Sequence, residues 1–205
     1  MKLAASQELH AYWNGLRGAR SAPERAEIDP AAIRGVLADT FILEVDEARG
    51  HPFRIAGTRT SSLFDRELKG SAFIDLWREP DRRDIAATLA GVADEAVAVV
   101  AGVSSRREGG PALDMELLLL PLRHRGDTHA RVLGAISPGS LPSWFGLLPA
   151  TPLSLLSLRI IERSESMLRT GPSPARDKSA VPFARPPALE RRGHLFVVPG
   201  AAQSG

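Results

Sequence analysis

Phe41-Ile42-Leu43-Glu44-Val45-Asp46 alternates: Phe41, Leu43 and Val45 share one face and Glu44 and Asp46 the other, the pattern of a half-buried strand. Arg49-Gly50-His51-Pro52 is turn chemistry, and Phe53-Arg54-Ile55-Ala56 repeats the alternation with Arg54 outward, which predicts a hairpin. Upstream, Leu9, Tyr12 or Trp13, and Leu16 recur at helical spacing. Asp29-Pro30 reads as the N-cap and first residue of a short helix to Leu37. Downstream, Leu63-Phe64, Phe73-Ile74 and Leu76-Trp77 are short apolar clusters that predict several short helices. Glu79-Pro80-Asp81 opens a longer amphipathic helix, with Ile85, Leu89, Val92 and Ala96 on one face. Three extended segments follow, at Val97–Ser104, Leu113–Arg123 and Ala130–Ser137, separated by Glu108-Gly109-Gly110-Pro111 and Arg125-Gly126-Asp127. Hairpin-linked strands on either side of a helical insertion predict an α+β fold with an antiparallel sheet, because a doubly wound parallel fold needs alternation throughout.

The chain has 205 residues, 43% of them hydrophobic and 24% charged, which allows a core of ordinary size and excludes global disorder. The absence of cysteine excludes disulfides, thiolate zinc sites, iron–sulfur clusters, cysteine nucleophiles and cysteinyl-flavin photochemistry. A net charge of +2 leaves little field to steer nucleic acid, so a nucleic-acid partner is not expected. The basic excess is local: residues 171–205 carry five Lys and Arg against two Asp and Glu. Five prolines at 172–187 predict a linker there, and Leu195-Phe196-Val197-Val198 a terminal strand. Leu153 to Ile161 is too apolar for solvent, though helix and strand both remain open for it. No secretory signal opens the sequence and no apolar run is long enough to span a bilayer, which predicts a cytoplasmic protein without a membrane partner.

Several motifs in order carry a family resemblance. They are Tyr12-Trp13 with Leu16-Arg17, Ile28-Asp29-Pro30, Phe41-Ile42-Leu43, and Phe53-Arg54-Ile55-Ala56-Gly57-Thr58. Leu63-Phe64, Glu67-Leu68-Lys69-Gly70, Phe73-Ile74-Asp75-Leu76-Trp77, Pro80-Asp81-Arg82, Leu117 through Leu122, and the terminal Arg192 through Val198 continue the series. Together they resemble the bacterial PAS-like family of small stand-alone PAS domain proteins. The resemblance implies a PAS fold, a five-stranded antiparallel sheet with helices across one face, preceded by an N-terminal helical extension. It divides the chain into that extension (1–40), a PAS core (41–138), a C-terminal extension packed on the core (139–170) and a Pro-rich basic tail (171–205). It also implies a sensory or adaptor role in signal transduction through a regulatory protein partner whose identity the sequence does not carry.

A pocket between sheet and helices would be lined by Leu43, Phe53, Ile55, Leu63, Phe64, Phe73, Trp77, Ile85, Leu89, Met115, Leu117, Val132, Gly134 and Ile136, and would take a small apolar ligand. Gly134 either makes room for that ligand or permits close packing. Trp77 and the phenylalanines offer stacking faces for a flavin but read first as core. Haem is disfavoured: in haem-binding relatives the ligand lies on the long crossover helix, and the helix after Pro80 has no histidine. His10, His51, His124, His129 and His194 form no zinc spacing, so no metal is expected. Asp75, Asp81 and Asp84 read as turn and helix-start residues, and no nucleophile elbow, HExxH, Walker loop or dinucleotide fingerprint is present, so no enzyme is expected.

Arg106, Arg107, Arg123, Arg125 and Arg131 would form an anion patch for a nucleotide messenger if the last strands bring them together, which is the alternative to the adaptor reading. Leu9, Trp13 and Leu16 make an apolar stripe on a helix too short to stand alone. It either folds onto its own sheet or pairs with a second copy, and a homodimer through this stripe is the expectation taken.

Overall fold

The predicted hairpin is β1 (Thr40–Glu44) and β2 (Phe53–Ala56). The computed structural model describes residues 1–106, 111–150 and 152–161, together with the strands at 190–192 and 195–197. Around the hairpin stand α1 (Ala4–Arg17), α2 (Thr58–Leu63), α3 (Glu79–Asp94), β3 (Ala98–Arg106), β4 (Ala112–His124), β5 (Asp127–Pro138) and β6 (Leu153–Ile161). The six strands form one antiparallel sheet in the order β2-β1-β5-β4-β3-β6.

Six strands stand where five are expected, because the ambiguous Leu153–Ile161 segment pairs along β3 from Ala98↔Ile161 to Ser105↔Leu153. The register slips at Gly102, whose N–H donates to Ser157 Oγ at 3.3 Å. The expected helix at 30–37 is instead a string of turns held by i→i+3 bonds, such as Val36 N–H to Ile33 O at 3.0 Å. Asp29 Oδ1 still accepts the Ala31 N–H, but Gly35 and the docking of Ile33 and Val36 on the sheet hold the backbone in turns.

β4 shows why the sheet has two covers. Leu117 and Leu119 point into one cluster with Ile85, Leu89 and Val92 of α3; Leu118 and Leu120 point into another with Leu9 and Trp13 of α1. A central strand buried on both faces reads as a continuous apolar run, which is what Leu117-Leu118-Leu119-Leu120 is. α1 therefore lies on its own sheet. Leu9 and Trp13 are 0% and 3% exposed, Leu16 is half-buried against the same cluster, and Trp13 Nε1 donates to Pro121 O at 2.8 Å. This corrects the homodimer stripe: the surface proposed for a second copy is already covered within the chain, where Leu9 and Trp13 join Leu118, Leu120 and Leu133 in one buried cluster.

Glu116 holds the start of α1. Its carboxylate accepts the N–H groups of Lys2 at 2.7 Å and Leu3 at 3.1 Å, and no side chain of the helix itself caps that end. Burial alone would push this carboxyl up, but the Lys2 and Leu3 N–H groups and the Ser6 hydroxyl outweigh it and hold the group below its ordinary value. α3 begins with Pro80 in its first turn, and the Asp81 carboxylate accepts the Leu155 N–H at 3.1 Å, tying β6 to the helix start.

The chain divides into a first unit, Met1–Ile161, and a second, Glu162–Gly205. Within the second, β7 (Glu190–Arg192) and β8 (Leu195–Val197) form an antiparallel pair, while Val198, His194 and the proline-rich 171–188 lie outside the described residues.

Leu9→Ala should cost about 2–5 kcal/mol, read as a shift of the urea midpoint; a loss no larger than that of a surface substitution would mean α1 stands free. Because the folded Glu116 carboxyl lies below its unfolded value, its contribution is present above about pH 4.5 and is lost as pH falls through the folded value. Glu116→Gln should accordingly flatten the acid limb of the stability curve, measured by thermal melts across that range.

Candidate functional site

The inner face of the sheet, α2, α3 and the Phe73–Trp77 segment enclose one apolar cluster. It brings together Leu43, Phe53, Leu63, Phe64, Phe73, Trp77, Ile85, Leu89, Met115, Leu117, Val132 and Ile136, twelve of the fourteen residues expected to line a pocket. Ile55 does not join them and is 50% exposed. The cause is a register shift between Ile42 and Leu43: Leu43 pairs with Phe53 and Phe41 with Ala56, so Arg54 and Ile55 together oppose Ile42, and Ile55 turns to the outer face.

Gly134 lies across the ladder from Phe41, and a Cβ there would collide with the Phe41 ring at Cζ. The missing side chain is thus filled by the Phe41 ring, which decides between the two readings of this glycine in favour of close packing. Phe41 centres an aromatic group with Phe53 at 5.5 Å and Phe73 at 5.7 Å, and Phe73 meets Trp77 edge-on at 5.8 Å. The C-terminal side of the cluster is closed by Ala150, whose N–H donates to Leu63 O at 2.8 Å, and by Leu153, whose carbonyl takes the Arg78 N–H at 2.9 Å. Sequence reasoning left Phe41, Ala150 and Leu153 out of the pocket. The alternation of Phe41 with Leu43 and the apolar run after Pro152 were the signals available.

Three polar atoms flank this cluster without a hydrogen-bond partner: Trp77 Nε1, Thr60 Oγ1 and Ser105 Oγ, on side chains about 1% exposed. Thr60 belongs to α2 beside Leu63, and Ser105 pairs across the sheet with Leu113 and Leu153 of the cluster.

The basic residues do not assemble. Arg106 sits opposite Ala112 at the start of β4, while Arg123 lies near its other end, about 36 Å away at strand spacing. Arg123 pairs with Glu24 at 3.7 Å and Arg131 with Glu44 at 3.4 Å, Arg125 is exposed in the hairpin turn, and Arg107 lies outside the described residues. The antiparallel meander separates the two groups because each loop joins neighbouring strands at opposite ends. Asp39 is buried on the far side of β1 and bonded to Arg59; burial pushes its carboxyl up against the pull of that guanidinium. Among the described residues no group of three or more His, Asp or Glu side chains is placed to hold a metal ion, and no helix is long and apolar enough to cross a membrane.

The family model for the PAS domain matches residues 1–137. The chain belongs to the PAS domain family. PAS domains are generally sensory signalling modules. Among solved structures, the chain is similar to a LOV protein of Rhodobacter sphaeroides, at 14% identity over 51% of this chain and 60% of that one, with a TM-score of 0.40. An RNA-binding light-oxygen-voltage receptor matches at 20% identity over 57% and 35%, TM-score 0.40, and the PAS domain of a Colwellia psychrerythraea protein at 13% over 54% and 97%, TM-score 0.40. The chain thus spans 60% and 35% of the first two of these structures. No curated protein matches it.

Gly134→Ala should cost at least about 1–3 kcal/mol, because the new methyl must displace the Phe41 ring. Adding Phe41→Leu should recover part of that loss, a coupling measurable as a double-mutant cycle in urea. Additive losses would mean the ring does not occupy the glycine's space.

Proposed function

We propose that this PAS protein is a non-catalytic sensory or adaptor protein that acts by ligand-modulated contact with a regulatory partner. The observation that carries the ligand half is the set of partnerless polar atoms beside an otherwise apolar core. A buried donor or acceptor left unmade costs about 1–3 kcal/mol, and such groups are usually met by water or a bound molecule. Trp77 Nε1 can only donate, so it calls for an acceptor on the occupant; Thr60 and Ser105 can offer either. The fitting ligand is a small, largely apolar molecule carrying at least one carbonyl, carboxyl or ether oxygen. The lack of cysteine excludes a thiol adduct to a flavin as the signalling chemistry.

The nucleotide-messenger alternative would need a cationic cluster; Arg123 and Arg131 each pair with a carboxylate and Arg106 lies at the other end of β4, which favours the ligand reading over it.

Native mass spectrometry of the purified chain, with its released contents identified by mass, is the direct test. A small molecule should be retained and lost on denaturation, and Trp77→Phe, which keeps the ring and removes the N–H, should weaken its binding about 2- to 10-fold. An empty protein together with a Trp77→Phe variant identical in every binding screen would overturn the reading.

A further inference from the structure

The β1–β2 loop contains a histidine that the ligand reading does not use. His51 is 3% exposed and holds a left-handed backbone with φ 57°, a conformation that histidine and asparagine tolerate better than most residues. Its ring is an acceptor: the Asp46 N–H donates to His51 Nδ1 at 3.3 Å, and the His51 N–H donates back to Asp46 O at 2.8 Å. That pair closes the loop on itself. The loop in turn is docked on the segment that bears Phe73. Phe73 N–H donates to His51 O and Ile74 N–H to Gly50 O, each at 3.3 Å, and Pro52 bridges to Ala72. The approach is close enough that a Cβ on Gly50 would lie 2.9 Å from that of Ala72. From Phe73 the aromatic contacts run directly to Phe41, Phe53 and Trp77.

A proton on Nδ1 cannot be accommodated in this arrangement. It would turn the acceptor into a donor facing the Asp46 N–H, and place a charge in a buried site. Asp46 and Glu47 are the charges on the loop that act on the ring. Arg49 is held away by Asp46 at 2.6 Å and Glu44 at 3.2 Å, and the docked 71–77 segment brings only the exposed Asp75.

We propose that the protein reads pH at His51: protonation of the ring breaks the loop closure, undocks residues 50–51 from residues 73–74, and loosens the aromatic group around Phe73 and Trp77. The proton is thus a second input to the core assigned above to a ligand, though the switch itself does not depend on a ligand being present. Burial holds the folded imidazole below its ordinary 6.5, opposed by Glu47 and Asp46. The docked state is therefore fully favoured above that value and is lost as pH falls toward and through the folded value.

The test is a pH titration by NMR of the full chain stripped of small molecules, following the His51 ring nitrogens and the Phe73 and Ile74 amides. All three should move with one shared midpoint below 6.5. Hydrogen-exchange protection factors at Phe73 and Ile74 should drop about tenfold across it, the equivalent of one lost hydrogen bond. His51→Asn, which tolerates the backbone and can still accept the Asp46 N–H, should keep both amides fixed over the same range. The proposal is overturned if His51 titrates while the two amides stay still, if the ring stays neutral until the whole fold melts, or if His51→Asn retains the same midpoint. Should that variant fail to fold, the wild-type titration alone decides. Because no ligand is added, an empty core would leave this result standing.

Discussion

Leu118 and Leu120 face away from the main core, on a strand whose Leu113, Leu117 and Leu119 fill it, and something in the chain must keep water off them. That requirement organises the molecule. α1 is the cover, and its position follows from the side chains it must seal: Leu9 and Trp13 over the leucines, Trp13 Nε1 on the Pro121 carbonyl, and the Glu116 carboxylate gripping the helix start. A helix of fourteen residues is marginal in water, so it is the sheet that stabilises the helix as much as the helix that shields the sheet. The N-terminal segment is thereby a layer of the fold, and residues 22–36 serve as its return path, with Ala22, Ile28, Ile33 and Val36 buried along the same face.

On the opposite face the packing follows a different logic. The four aromatic rings are close enough to interlock, and Gly134 exists to let the first of them lie flat on the ladder. At its margin Trp77 Nε1, Thr60 Oγ1 and Ser105 Oγ are buried without partners. Tight rings and unpartnered polar atoms occur together on this side, while on the leucine-rich outer face the Trp13 indole finds its carbonyl.

Much of this was legible in the chain itself. Strict alternation marked β1 and β2, turn residues separated β3 from β4 and β4 from β5, and apolar spacing placed α3. Reading failed where the answer depends on register between distant segments. Ile55 looked inward by alternation, and one extra residue in the ladder with β1 turned it out. Phe41 and Gly134 are partners only because β1 pairs with β5, a match about ninety residues apart that no local pattern encodes. The arginines near the ends of β3 and β4 looked adjacent when counted along the loops and are far apart once the meander is drawn. The apolar stripe of α1 was plain; what it covers was not, because a helix stripe states that it must be buried and is silent about whose surface does the burying.

The placing of β1 between β2 and β5 has a consequence for the order in which this chain acquires structure. β3, β4 and β5 are joined by short connections and can zip together as they appear, whereas β1, made early, has only the small β2 hairpin to hold until β5 exists. At ribosomal rates of about 5–20 residues per second, that interval is roughly 5 to 20 seconds. For that time Phe41, Ile42 and Leu43 present a bare strand edge to the cell. The nascent chain is thus most vulnerable to mispairing, and most in need of a chaperone, at its first strand and not at its last.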